Sequence, residues 1–158
     1  MDINADFFLD FLKILVKEKV EFMLVGGYAV NYHGYSRFTG DLDLWSNPSE
    51  KNIEALIRSI DAFGFDTNIL IGKDLKNESP VKLAEDGIKI EILHHLEGGF
   101  SFEEAYERAK FISVENIEVK LISFDDLLAN KSNSMRMKDA VDVHYLKEIQ
   151  KNKGSEKQ

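Results

Sequence analysis

The sequence contains no cysteine, which excludes disulfides and thiolate zinc sites. It has no apolar run of membrane-spanning length, so a transmembrane role is excluded too. Its N-terminus lacks a basic segment followed by an apolar stretch and a small-residue cleavage site, and a cytoplasmic location is the expectation. Cations are scarce: 20 Lys and Arg stand against 28 Asp and Glu, a net charge of −8. Broad, sequence-independent nucleic-acid binding needs clustered Lys and Arg and is disfavoured, although room remains for a local basic groove. Internal repeats are missing as well. One low-complexity piece, Lys151 to Gln158, is expected to fray.

What is present is the composition of a soluble globular protein, 44% hydrophobic and 30% charged over 158 residues. That length suits one domain, residues 1–150, with 151–158 as a tail. The chemistry is concentrated between Phe22 and Trp45. An apolar run, Phe22 to Val25, stops at Gly26 and Gly27, which reads as a buried strand ending in a turn. The glycine pair would let backbone approach a ligand that a Cβ would obstruct. A short helix from Tyr28 to Tyr35 should follow, its free N–H groups offering a place for a triphosphate. Then comes Asp41-Leu42-Asp43-Leu44. On a strand both aspartates share one face, with carboxylates about 7 Å apart that repel unless a cation intervenes. Magnesium (or manganese) is the hard cation such oxygens suit.

The order Gly-Gly-Tyr-Ala, His33-Gly34, then Arg37-x-Thr39-x-Asp41-x-Asp43 resembles the nucleotidyltransferases of the DNA polymerase beta superfamily, and within it the minimal AbiEii-toxin-like branch. That resemblance implies an α/β (α+β) nucleotidyltransferase fold: a mixed central β-sheet flanked by helices, with further helices at the C-terminal end. It implies Asp41 and Asp43 as metal ligands and catalytic residues, and Gly26, Gly27, Arg37 and Thr39 as nucleotide contacts.

The remaining chain is mostly scaffold. Residues Ala5 to Lys19 read as a deeply packed helix, with Phe8, Phe11, Leu12 and Leu15 at helical spacing. Asn47-Pro48-Ser49-Glu50 reads as a helix start capped by Asn47, ended by Gly64. Phe65 to Pro80 should be a loop with one helical turn. Val81 to Leu93 alternates around Asp86-Gly87, a hairpin that turns Ile88, Ile90 and Ile92 inward and Lys89 and Glu91 the other way. By the resemblance Glu91 supplies the third carboxylate, catalytic and metal-binding, where Asp is commoner. His33 reads as a packing residue, and His94-His95 cannot chelate one ion from a strand. Ser101 should cap a helix, and two strands should surround Glu115-Asn116. Ser123 should start another helix. Lys131 and Arg136-x-Lys138-Asp139-x-x-Asp142 also resemble the AbiEii-type branch, which makes Lys131 a phosphate contact. Asp139 and Asp142 share a helix face, where a favourable dipole interaction explains them without function. The likeness spans Phe22 to Trp45, Ile88 to Leu93 and Ile122 to Leu146.

The implied activity is metal-dependent transfer of a nucleoside monophosphate from a nucleoside triphosphate to an acceptor hydroxyl, releasing pyrophosphate. The acceptor could be a transfer-RNA end, a protein or a small molecule such as an antibiotic. A cognate antitoxin or other partner would accompany a toxin–antitoxin or phage-defence role, and a nucleotide- or partner-binding protein without turnover is the alternative.

Overall fold

The computed structural model describes residues 5–70, 74–75 and 80–156. Helix α1 (Ala5–Lys17) leads into β1 (Phe22–Val25), α2 (Gly26–Tyr32), β2 (Asp41–Ser46) and α3 (Glu50–Ala62). A 3₁₀ turn at Thr67–Leu70 precedes the hairpin β3 (Val81–Glu85) and β4 (Ile88–Leu93). Then follow α4 (Phe102–Arg108), the hairpin β5 (Lys110–Val114) and β6 (Ile117–Leu121), α5 (Phe124–Ser132) and α6 (Met137–Glu156).

The strands form one six-stranded sheet in the order β3-β4-β2-β1-β6-β5. β1 runs antiparallel to β2 and parallel to β6, while β2 and β4 are parallel. The expected mixed sheet with flanking and C-terminal helices is therefore present. All four residues of β1 are buried, which explains why it reads as a continuous apolar run and not as an alternating one. The α1 stripe buries Phe8, Phe11, Leu12 and Leu15, each such side chain contributing roughly 1.5–3 kcal/mol. Phe7 and Phe11 also contact Phe63, just beyond α3, at ring-centroid separations of 5.1 and 5.0 Å, so α1 and α3 form one layer.

Several boundaries differ from the sequence expectation for identifiable reasons. α2 starts at Gly26, not Tyr28, because Gly26 adopts φ +66 and the chain turns directly from β1. The cap of α3 is Ser49, not Asn47. The Ser49 hydroxyl accepts from the Asn52 N–H at 3.3 Å, whereas Asn47 Oδ1 accepts from the Ser49 N–H at 3.0 Å. Asn47 therefore makes a turn before the helix and leaves Pro48 outside it. The loop expected over Phe65 to Pro80 contains the 3₁₀ turn, and its residues 71–73 and 76–79 lie outside the described residues. Asp86 and Gly87 both have positive φ, 50° and 81°, as a two-residue type I′ hairpin requires. The tail expected from Lys151 continues α6 to Glu156. Lys and Glu are strong helix formers, and Lys153 Nζ lies 5.8 Å from the Phe124 ring centroid.

Candidate active site

The end of β1, the start of β2 and the middle of β4 meet where three chain segments bring their polar side chains together. In the parallel register Asp41 lies opposite Lys89 and Asp43 opposite Glu91. Alternation puts all four on one face, because Leu42, Leu44, Ile90 and Ile92 fill the core on the other. Glu91 therefore faces the aspartate strand.

These carboxylates are not equivalent. Burial, the neighbouring charge of Glu91, a hydrogen bond with Glu91 and the charge of Asp41 together raise the Asp43 carboxyl to about 7, against a smaller opposing pull from Lys131. Asp43 thus keeps its proton well above the ordinary aspartate range. Asp41 turns instead to Lys89, whose Nζ lies 3.4 Å from Asp41 Oδ2 and 3.3 Å from Glu91 Oε1. Lys82 adds a longer contact to Glu91 at 3.8 Å. Among the described residues, no three ligating side chains are gathered closely enough to hold a metal ion; Asp43 and Glu91 meet, and the lysine stands beside Asp41. By chemistry the donor set nonetheless suits magnesium or manganese: oxygen ligands only, one of them held protonated by burial and by its neighbouring carboxylates.

The glycine pair serves the site in a way the sequence did not disclose. A Cβ on Gly26 would overlap the Asp43 carboxylate, and a Cβ on Gly27 would overlap the Thr39 side chain. The close approach is made by protein side chains packed over the turn. Thr39 is buried, and its hydroxyl donates to the Asp41 carbonyl at 3.4 Å. No side chain caps the start of α2.

Arg37 and Lys131, expected to contact phosphates, are held by the last helix. Arg37 makes a two-pronged pair with Asp142, Nε to Oδ1 at 2.7 Å and Nη2 to Oδ2 at 2.9 Å, and its Nη1 donates to the Phe38 carbonyl. Lys131 Nζ lies 2.8 Å from Asp139 Oδ1 and 3.2 Å from Asp142 Oδ2. Asp142 is fully buried. Burial would raise the Asp139 carboxyl, but hydrogen bonds from Lys131 and Ser134, with the charges of Lys131 and Arg136, hold it below its ordinary value. Asp139 and Asp142 therefore do more than favour a helix dipole. They fix both cations, a partnership between residues far apart in sequence that no local pattern announces.

His33 is a packing residue: its Nε2 lies 2.7 Å from the Ile122 carbonyl, and its ring meets Phe124 edge-on. His94 is buried, with Nε2 unpartnered among the described residues and its pKa lowered by burial. His95 is exposed beside Glu97. Both lie beyond the end of β4 and not on the strand expected for them, one buried and the other exposed.

Two clefts open on either side of Asp43 and Glu91. One, of ≈ 360 Å³, runs past Gly27, Arg37, Thr39, Asp41 and Lys89 to Lys138. The other, of ≈ 300 Å³, runs past Gly26, Leu93, His95 and Leu96 to Asn130 and Asn133. Both reach Lys131, Arg136 and Asp139. Lys89, Arg136 and Lys138 had no assigned role on sequence grounds, although Arg136 and Lys138 sit inside the motif that carries the family likeness.

The sheet order and the paired carboxylates beside the glycine turn define a nucleotidyltransferase fold. Residues 5–157 match the family described as "Nucleotidyl transferase of unknown function (DUF2204)", and the chain belongs to that family of enzymes. No curated protein matches it in sequence. In fold it resembles a lincosamide antibiotic adenylyltransferase, LnuA, in its lincomycin-bound form, with a TM-score of 0.61 at 18% identity over 94% of this chain and 98% of that one. It also resembles ANT(2″)-Ia in complex with adenylyl-2″-tobramycin, with a TM-score of 0.56 at 11% identity over 99% and 92%. A third likeness is to an antigenic nucleotidyltransferase-like protein from Paracoccidioides brasiliensis, with a TM-score of 0.55 at 13% identity over 92% and 75%. Identities this low establish the fold alone. Among the described residues, no helix is long and apolar enough to cross a membrane.

Proposed function

We propose that the protein transfers a nucleoside monophosphate from a nucleoside triphosphate to an acceptor hydroxyl, with Asp41, Asp43 and Glu91 at the reacting centre. The observation that carries this reading is the half-buried Asp43–Glu91 pair, which faces across two strands at the junction of two clefts, with the Asp43 carboxyl raised to about 7. A carboxyl raised so far above its ordinary value, in a cleft and beside two further carboxylates, supports a reacting centre where a cation and substrate would be held.

Magnesium or manganese held by these carboxylates would offset the charge that develops on the phosphate oxygens. The protein's own residues do the rest. The cleft containing Arg37, Lys89 and Lys138 receives the triphosphate, and Lys131 and Arg136 border the junction. Their positions favour an in-line arrangement of acceptor, α-phosphorus and leaving pyrophosphate. The acceptor oxygen bonds to the α-phosphorus as the bond to pyrophosphate breaks. Its proton passes to Glu91, which lines both clefts and stands opposite Asp43. Gly26 and Gly27 hold Asp43 and Thr39 against the turn, which fixes the carboxylate's direction.

Release of pyrophosphate, measured with each of ATP, CTP, GTP and UTP with and without magnesium or manganese, tests this. Metal-dependent turnover that disappears in Asp43→Asn supports it. Triphosphate binding of equal strength without metal would remove the carboxylates from the reaction and leave a nucleotide-binding protein. A toxin–antitoxin or phage-defence setting draws support from the Arg136-x-Lys138-Asp139-x-x-Asp142 order; the corresponding test is whether a neighbouring gene encodes a protein that binds this one and suppresses its activity.

A further inference from the structure

The two clefts share their central residues and differ in their walls. Residues that line only the larger cleft include Arg37, Lys89 and Lys138 against a single acid, Asp41; Arg37 is paired with Asp142 and Lys89 with Asp41 and Glu91, and Lys138 is left without an ion pair among the described residues. Those lining only the smaller one, among the described residues, include no Lys or Arg; they comprise Glu97, His95, the amides Asn130 and Asn133, the hydroxyl of Ser134, and Val25, Leu93 and Leu96. Its shared cations are already compensated, Lys131 by Asp139 and Asp142 and Arg136 by Asp139 at 3.9 Å.

A polyanion needs cations along its path, because neutralising phosphates is what drives such binding. The smaller cleft supplies none on its own wall. It supplies an apolar side, Leu93 and Leu96, opposite amide and hydroxyl groups and one exposed carboxylate, Glu97. Its volume of ≈ 300 Å³ is at the small end of sites that enclose small molecules. From this contrast, and resting on the transferase reading above, we infer that the acceptor is a small hydroxyl compound, uncharged or bearing an ammonium group, that enters by the smaller cleft. A nucleic-acid end is thereby disfavoured as the acceptor. The acceptor's apolar edge lies along Leu93 and Leu96, its polar groups meet Asn130, Asn133 and Ser134, and an ammonium group is matched to Glu97. The reacting hydroxyl points to Glu91, which both clefts touch.

The test uses the full chain with magnesium and α-³²P-labelled nucleoside triphosphates, incubated with a lysate of the source cells separated into RNA, protein and an ultrafiltrate of small molecules. Label should appear in the ultrafiltrate fraction. Two exposed substitutions then locate it: Asn133→Trp should raise the half-saturating amount of ultrafiltrate at least severalfold without changing that for nucleotide, and Lys138→Glu should do the reverse. Label confined to RNA or protein, or an Asn133→Trp variant that folds with unchanged half-saturation for the ultrafiltrate, overturns the acceptor assignment and leaves the transferase reading intact. Absence of label from all three fractions, with no pyrophosphate released, overturns the transferase reading itself and the inference with it.

Discussion

Two acidic pairs flank Lys131, and they show opposite electrostatics. On α6, Asp139 and Asp142 are buried but matched: Lys131, Arg37 and Ser134 occupy their oxygens at hydrogen-bonding distance. On β2, Asp41 and Asp43 face a third carboxylate, Glu91, with Lys89 as the near cation, and Asp43 is driven up to about 7. The same residue type thus does two jobs a short distance apart. Where each charge has a partner, the pair joins α6 to α5 and to the segment before β2. Where charge is left over, the fold holds a carboxylate in a state that a bound cation or a proton must relieve, the usual signature of a reacting centre. The carboxylates to suspect are the unmatched ones.

If that contrast is right, removing a carboxylate from each side should produce different kinds of damage. The largest effect is expected for Glu91→Gln. Transfer should fall by about 10²–10⁴-fold, while triphosphate affinity, measured by calorimetry with metal present, stays within a few fold because Arg37, Lys131 and Lys138 persist. Glu91→Asp should restore much of the rate, since it keeps the charge and shortens the side chain by one methylene. Loss of affinity parallel to loss of rate in Glu91→Gln would place this residue in binding, not in proton transfer.

On the matched side, Asp142→Ala should act on folding. It leaves the Arg37 guanidinium and the Lys131 ammonium facing a hole where a fully buried carboxylate stood, at a cost of about 3–5 kcal/mol. Urea unfolding of the protein without ligands measures this. A change near zero would mean that water reaches both cations, and the division into a structural and a reacting pair would collapse.

A third expectation uses pH to separate the pairs. The Asp43 carboxyl titrates near 7 in the folded protein and near 3.9 when unfolded, so the folded state holds the proton more tightly. Its contribution to stability is fully present below about pH 4 and is lost as pH rises through 7. Metal-free protein should therefore lose stability relative to Asp43→Asn across that window, on the order of a few kcal/mol in total. Parallel stability–pH curves for the two proteins would show that Asp43 is not the perturbed group.

Much of this arrangement was legible in the sequence, and the illegible part has a common cause. Alternation alone placed Asp41 with Asp43 and turned Glu91 away from Ile90 and Ile92, because a strand fixes faces locally. The turn at Gly26 and the hairpin at Asp86-Gly87 were readable for the same local reason. Pairing across the sheet is not local. Nothing along the chain sets Asp43 opposite Glu91 or Lys89 opposite Asp41, and so the sequence assigns Lys89 no role. Arg37 and Asp142, 105 residues apart, form a pair that only the folded topology creates. The glycine pair was read for a ligand because a bare backbone says that something comes close without saying what; here it is Asp43 and Thr39. At α3, Asn47 and Ser49 are both good caps, and the choice fell to the one whose hydroxyl reaches the Asn52 N–H.

The smallest effect, on Lys89, sharpens the contrast most. Its ammonium lies 3.4 Å from Asp41 and 3.3 Å from Glu91, and hydrogen bonding to Glu91, with the charges of Glu91 and Asp41, holds its pKa above the ordinary lysine value. It is the cation beside the unmatched pair when no other is bound. A divalent ion approaching the same oxygens must displace it, so the lysine and the ion compete. Lys89→Met removes the competitor while keeping the length of the aliphatic stem. Manganese affinity without nucleotide should then rise by roughly three- to tenfold, with the larger ratio at low salt where screening is weak. In the Lys89→Met, Glu91→Gln double variant most of that gain should vanish, since the lysine competes through Glu91. Calorimetric titration of manganese into the three proteins decides it. Equal affinity in wild type and Lys89→Met would mean that the lysine turns aside freely and does not compete with a cation for the Asp41 and Glu91 oxygens.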